Sequence, residues 1–256
     1  MEPVYRSLEV ACTLGLRAVG SKLTLSGLAN IPSEGGAVVA INHTSYIDFL
    51  PAALATHRRH RRMRFMIKAE MTHVRIVAFL ITHTGAIPVD RSAGADSYAE
   101  AVRQLRAGEL VGVYPEATIS RSFELKEFKS GAARMAIEAN VPILPHIVWG
   151  AQRIWTKGHP RKMWRPKVPI AVAVGEPILP TLPAEELTAL LRSRMQHLLE
   201  QVQDAYGPYP PGEFWVPRRL GGGAPTLAEA AQLEAEEAAT KAARREGRPD
   251  ATGASG

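Results

Sequence analysis

Apolar runs bounded by turn residues recur through the middle of this chain and alternate with stretches of helical period. Residues 37–41 (Ala-Val-Val-Ala-Ile) form an unbroken apolar run opened by Gly35-Gly36, the pattern of a strand buried on both faces. Helical spacing over 47–55 follows. Short strands are predicted at 65–67 and within 85–91, with helical periodicity at 74–82 between them. A helix over 99–105 with Gly108 just past its end comes next, then a buried strand at 110–114 and a helix at 131–140. Strands at 143–148 and 170–174 and a long helix at 185–206 complete the series. In that helix Leu187, Leu190, Leu191, Arg194, Leu198 and Val202 set the inward face, with Arg194 at its edge. Strands alternating with helices predict an α/β fold: a single domain over 27–207, its central, largely parallel β-sheet flanked by helices, whose sites gather at strand ends.

The flanks have a different character. Residues 4–25 place Val4, Leu8, Cys12, Leu16, Val19 and Leu23 on one side of a helix and Arg6, Glu9, Thr13 and Arg17 on the other. Residues 1–26 are therefore assigned to an N-terminal amphipathic helix, which can pack on the domain or lie in a membrane interface. Charges interrupt every apolar stretch short of the ~18 residues needed to span a bilayer, so no crossing is expected. Beyond 208 the Gly221-Gly222-Gly223 run predicts a linker, followed by a Glu- and Ala-rich helix over 227–245 and a disordered end.

Composition narrows the partners. A chain of 256 residues with 46% hydrophobic and 22% charged residues is ordinary globular material, and a net charge of +6 suits an acidic partner: nucleic acid, anionic lipid or a phosphorylated substrate. The lone Cys12 permits no internal disulfide, which points to a reducing cytoplasmic setting. Five arginines fall in the seven residues 58–64, predicting a solvated loop whose charge could also hold the protein against anionic headgroups. Nucleic-acid binding through that block is the remote alternative, since aromatic residues for base stacking are only 6% of the chain.

The candidate chemistry sits at Asn42-His43-Thr44-Ser45-Tyr46-Ile47-Asp48, where the first buried strand ends. Five residues apart on a helix, two side chains point about 140° away from each other. His43 and Asp48 can therefore meet only with the histidine in the loop and the aspartate on the first helical turn. So paired, Asp48 would fix the imidazole tautomer and leave the other ring nitrogen to take a proton from an attacking hydroxyl. The alternative reading is a capping box, Ser45 with Asp48 three residues on. Lys68 and Arg91 each close a predicted strand; if those strands are neighbours, two cations converge at one sheet edge, as a phosphate site requires. The chain has no Gly-x-Ser-x-Gly elbow, no phosphate-cradling Gly-x-x-x-x-Gly-Lys loop and no zinc spacing among its histidines, so no metal or cofactor is expected and direct transfer is favoured over a covalent enzyme intermediate.

Four stretches in order resemble the motifs of the glycerolipid acyltransferases, in particular the 1-acyl-glycerol-3-phosphate acyltransferases: Asn42-His43 with Asp48, Gly85 to Arg91, Tyr114-Pro115-Glu116-Ala117-Thr118, and Val141-Pro142-Ile143-Leu144-Pro145. The resemblance spans roughly 20–205. It implies a glycerol-3-phosphate acyltransferase-like fold and transfer of an acyl group from acyl-CoA or acyl carrier protein to the free hydroxyl of a lysophospholipid, giving phosphatidic acid. It further implies a peripheral protein on an anionic membrane surface, at the cytoplasmic face. His43 and Asp48 become the catalytic pair, and substrate binding falls to Lys68, Gly85, Arg91, Glu116, Thr118, Arg121 and Lys129. Glu116 either caps its strand end or holds the acceptor's glycerol hydroxyl or a nearby cation. In the family the third motif usually reads Pro-Glu-Gly-Thr-Arg; here Ala117 and Ile119 replace the glycine and the arginine, and Arg121 or Lys129 is the cation that could stand in. Glycerol 3-phosphate or another lysolipid as acceptor, or a lipid-binding relative without catalysis, are the alternatives.

Overall fold

The computed structural model describes residues 20–68, 84–89, 94–162 and 167–246, together with Val10 and Leu14. Within them the strands are β1 (Leu23–Ser26), β2 (Ala37–Ile41), β3 (Met63–Lys68), β4 (Ile87–Val89), β5 (Leu110–Val113), β6 (Ile143–Trp149) and β7 (Ile170–Val174). The helices are α1 (Phe49–His57), α2 (Gly94–Arg106), α3 (Gly131–Ala139), α4 (Ala184–Tyr206) and α5 (Leu227–Glu246). The strands form one sheet in the order β1-β7-β6-β2-β5-β3-β4. Every neighbouring pair is parallel except β6 with β7.

β2 lies at the centre because all five of its residues are apolar and both of its faces are covered. Ala37, Val39 and Ile41 join Ala52 and Ala55 of α1 in one core, with Leu144, Val148, Val172 and Val174 from the neighbouring strands. Val38 and Ala40, equally buried, face the opposite side by strand alternation. α3 packs on β2, and α4 packs on β6 and β7. The buried stripe of α4 is Leu187, Leu191, Met195 and Leu199, one residue every four, closed by Val202 and Gln203. The predicted stripe is thus corrected at three places: Arg194 is exposed and Leu190 and Leu198 are half-buried, because the helix turns Met195 and Leu199 inward.

Three further expectations change. The predicted N-terminal helix lies outside the described residues apart from Val10 and Leu14, and its last part is not helical. Leu23–Ser26 is β1, parallel to β7, with Leu23 and Leu25 against the core. Leu23 keeps the four-residue spacing set by Val19, which is why the helical pattern ran on into a strand. The basic block is not simply a solvated loop. Arg64 lies within β3, only 8% exposed, donating to Thr84 O and Glu109 Oε1. The Arg61 guanidinium donates to three backbone carbonyls, Pro32, Gly35 and Gly108, at 2.7 Å each. Finally, the Gly221-Gly222-Gly223 run is a folded turn and not a linker. The N–H groups of these glycines bond to Arg218 O, Pro217 O and Glu213 O, and a Cβ on Gly222 would stand 1.9 Å from Val216 O.

Contacts divide the chain into two compact units. The first comprises 1–119 and 125–208 and holds the sheet; the second comprises 120–124 and 209–256. The second is built on α5, as the Glu/Ala pattern predicts, with Val216, Ala224 and Ala230 buried. Its short segment is held by Ser120 donating to Glu124 O and by the Arg219–Glu124 ion pair. The predicted helix at 74–82 lies outside the described residues.

Candidate active site

Five of the seven strands, β2 to β6, run the same way, so the loops leaving them gather at one end of the sheet. β2 is the switch point: chain order departs from it toward β5 and β3 on one side and toward β6 on the other. In open α/β sheets ligands bind outside the carboxyl ends of the strands at such a point.

The turn leaving β2 is organised by one buried carboxylate. Asp48, the residue before α1, folds its side chain back, away from the helix. Its Oδ2 accepts the backbone N–H groups of Thr44 at 2.8 Å and Ser45 at 2.7 Å, and lies 3.3 Å from His43 Nδ1. This is the arrangement the five-residue spacing demands, histidine in the loop and aspartate at the helix start. The capping-box reading is met in part: Asp48 Oδ2 takes the Ser45 N–H, although no side chain caps the first turn of α1 itself. The Ser45 hydroxyl instead donates to Trp155 O at 2.6 Å and accepts the N–H of Ile47. Burial pushes the Asp48 carboxyl above its ordinary range, while His43 and the two amides pull the other way. With its proton on Nδ1 facing Asp48, His43 presents the Nε2 lone pair, which no described residue bonds. The imidazole is 19% exposed and stacks on Tyr114 of the turn after β5, with ring centroids 4.0 Å apart.

Glu116 ties that neighbouring turn to the histidine. It is buried, its Oε1 accepts the His43 N–H at 2.8 Å, and its Oε2 accepts the Lys126 N–H at 3.1 Å. Burial lifts its carboxyl to about 7, opposed by those two amides. Both oxygens of Glu116 are thus engaged by backbone N–H groups of the two turns. Thr118 belongs to the same turn and accepts a short hydrogen bond from the Lys126 ammonium.

Other predicted residues are placed elsewhere. Gly85, at φ +65°, precedes β4 and lies against the Arg64 guanidinium, which a Cβ there would meet at 2.8 Å; it is not at the end of the sheet that carries His43. Arg121 belongs to the second unit, where Glu237 holds it at 2.9 Å. The Lys129 side chain is exposed while its N–H bonds Pro115 O. β3 and β4 are indeed parallel neighbours, with Lys68 opposite Val89, but the Lys68 side chain and Arg91 lie outside what is described.

Several contributors have roles that a single sequence does not show. Asn42 makes a two-pronged bond to the Val148 backbone, at 2.7 and 3.1 Å, which fixes where β2 stops. Thr156 donates to Thr44 O at 2.7 Å, and Trp155 O receives the Tyr46 N–H, so the loop after β6 clasps the histidine turn. Tyr114 and Lys126 complete the surroundings. Their roles come from strand order, and strand order is not a local pattern.

The fold and the site together define a class: an α/β protein with a buried aspartate bonded to a histidine at the carboxyl end of its central strand. A model of the acyltransferase family matches residues 22–149, half of the chain, and this chain belongs to that family. It is 24% identical over 183 residues to the 1-acyl-sn-glycerol-3-phosphate acyltransferase of Bacillus subtilis (strain 168), covering 68% of this chain and 85% of that protein. To the protein of the same name from Borreliella burgdorferi it is 23% identical, over 59% of this chain and 60% of the relative. Its fold is similar to the crystal structure of the 1-acyl-sn-glycerophosphate (LPA) acyltransferase PlsC from Thermotoga maritima, with a TM-score of 0.62 and 24% identity across 75% of this chain and 78% of that one.

Proposed function

We propose that this chain transfers a fatty acyl group from an acyl thioester, acyl-CoA or acyl carrier protein, to the free hydroxyl of a 1-acyl-glycerol 3-phosphate, giving phosphatidic acid. The observation that carries the reading is the His43–Asp48 pair at the end of β2, inside the segment that matches the family. The acceptor hydroxyl gives its proton to Nε2 as its oxygen attacks the thioester carbonyl. The C–O bond forms, the C–S bond breaks, and the proton passes from His43 to the departing thiolate. A positioned base contributes about 10²- to 10⁴-fold to such a step. The relatives named for this activity support the acceptor class.

The acceptor is a lipid, so the reaction takes place at a membrane surface, which we assign to the cytoplasmic face with the protein attached peripherally. Among the described residues no helix is long and apolar enough to cross a membrane, and the net charge of +6 suits anionic headgroups. Lys68 and Arg91, at the ends of adjacent strands, are proposed to face the acceptor's phosphate.

The test is an assay of purified protein with radiolabelled acyl thioester against a panel of lysolipids and glycerol 3-phosphate. Phosphatidic acid from 1-acyl-glycerol 3-phosphate is the expected product. His43→Ala should abolish it and Asp48→Asn should lose most of kcat through the wrong tautomer. Wild-type turnover by His43→Ala would refute the mechanism, and preference for another acceptor would reassign the substrate.

A further inference from the structure

We propose that the protein meets an anionic phospholipid bilayer through the surface beside His43, formed by Tyr46 and Phe49 together with the basic loop after β6, an assignment that rests on the acyl-transfer reading above. The two ends of the sheet are what choose this face. A base that acts on a lipid has to be turned toward the bilayer, and the arginine block before β3 lies at the amino ends of the parallel strands, away from His43. That block, which composition alone offers as the headgroup contact, is therefore at the wrong end. The loop after β6 leaves the sheet at the right one, because β6 runs parallel to β2. It is also locked to the histidine turn. Trp155 O accepts from the Ser45 hydroxyl at 2.6 Å and from the Tyr46 N–H at 3.2 Å, and Thr156 donates to Thr44 O at 2.7 Å.

Two kinds of side chain on this face match the two layers of a membrane surface. Tyr46, 44% exposed, and Phe49, 40% exposed, are the only exposed Phe, Tyr or Trp residues among those described, and they stand on either side of Asp48 where α1 begins. Tyr46 lies against Trp155 with ring centroids 4.9 Å apart, and Phe49 makes a T-shaped contact with Phe65 at 5.9 Å, so both rings are held in place. Aromatic rings, above all those with one polar end, favour the boundary between headgroups and acyl chains. Charge accompanies them. Residues 155–167 contain five lysines and arginines, and no acidic residue occurs between Glu138 and Glu176. Arg161 and Lys162 are both exposed; the Arg161 guanidinium stands 5.9 Å from the Trp155 ring, and the Lys162 N–H returns the loop to Ile154 O at 2.7 Å. Apolar area and basic charge on one patch supply the two signals that attachment to an anionic surface needs.

Co-sedimentation of the full chain with phosphatidylcholine vesicles containing phosphatidylglycerol tests this, with each variant first checked for wild-type unfolding behaviour. Arg161→Gln combined with Lys162→Gln should weaken partitioning about 30-fold, from about fivefold per neutralised charge, and should flatten its dependence on salt. Tyr46→Ser should weaken partitioning roughly tenfold while leaving the salt dependence as in wild type. Arg58→Gln combined with Arg59→Gln removes the same charge from the other end of the sheet and should leave partitioning unchanged. Wild-type partitioning in either variant of the proposed face overturns the assignment, as does an equal loss on replacing Arg58 and Arg59, or a wild-type chain that binds no anionic vesicles. If replacing Arg161 and Lys162 only raises the KM for an acyl carrier protein, the loop docks an acidic donor and the membrane face is overturned. If the chain uses an acceptor other than 1-acyl-glycerol 3-phosphate while vesicle binding still depends on this face, the face stands and the substrate reading falls.

Discussion

At the scale of single residues, the turn that carries Glu116 holds a conformation its sequence opposes. Ala117 sits at φ +61°, in the left-handed region, where a Cβ costs roughly 1–2 kcal/mol. Its side chain is exposed, so glycine there would forfeit no packing. Part of the relief would be offset by the larger entropy that glycine gives the unfolded chain. Ala117→Gly is expected to raise stability by about 1 kcal/mol in urea unfolding. A variant no more stable than wild type would show that the turn has relaxed around the alanine. The same scale explains why His43 and Asp48 were legible in advance: five residues across a strand-to-helix junction leave little choice of geometry. The roles of Tyr114 and Thr156 were not legible, because each reaches the histidine turn from a separate element.

At the scale of elements, the basic block has a structural use that its composition concealed. It precedes β3 and so lies at the amino ends of the parallel strands, the end of the sheet away from His43. Arg61 donates there to the loops that enter β2 and β5, and Arg64 reaches across to Glu109. Hydrogen bonds from a charged donor contribute on the order of 1.5–3 kcal/mol apiece in favourable settings, less where water competes as it does at Arg61. Arg61→Ala should therefore destabilise the chain by about 2–3 kcal/mol in equilibrium unfolding while leaving the KM for the acceptor unchanged. An equally large rise in KM would instead connect this end of the sheet to the substrate. Five arginines in seven residues look alike to composition, and strand register separates the ones that hold loops from Arg58 and Arg59, which remain exposed.

At the scale of the molecule, two buried groups bend the pH dependence of stability in opposite directions. Glu116 has a folded pKa of about 7 against an ordinary 4.5, so the folded state keeps a proton the unfolded chain gives up. Its contribution is complete below about 4.5 and is lost as pH rises through 7. His146, buried in β6, is pulled by burial to about 4 from an ordinary 6.5. Its contribution is complete above 6.5 and is lost as pH falls through 4. Each slope approaches 1.4 kcal/mol per pH unit where it acts, and between 4.5 and 6.5 the two largely cancel. Relative to wild type, Glu116→Gln should therefore gain stability steadily as pH rises from 4.5 to 7, and His146→Leu should lose it from 4 to 6.5. Urea midpoints measured across that range check both, and a pH-independent difference for either variant would mean that its group titrates as it does in the unfolded chain.

What the sequence determined by itself is the set of elements and the junction that bears the chemistry. Hydrophobic period is a local property, so β2, β7, α3 and α4 are found within a residue or two of their predicted bounds, and the His43–Asp48 spacing dictated its own geometry. The tertiary structure alone decided which elements are neighbours: β5 beside β2, which puts Tyr114 under the imidazole and lets Glu116 reach the His43 backbone; β7 reversed against β6; Leu23–Ser26 added as an edge strand. These pairings are set by burial of both faces of the sheet and by crossover connections, which couple residues scores of positions apart. No local pattern carries that information, and so the His43–Asp48 pair was readable while its supports were not.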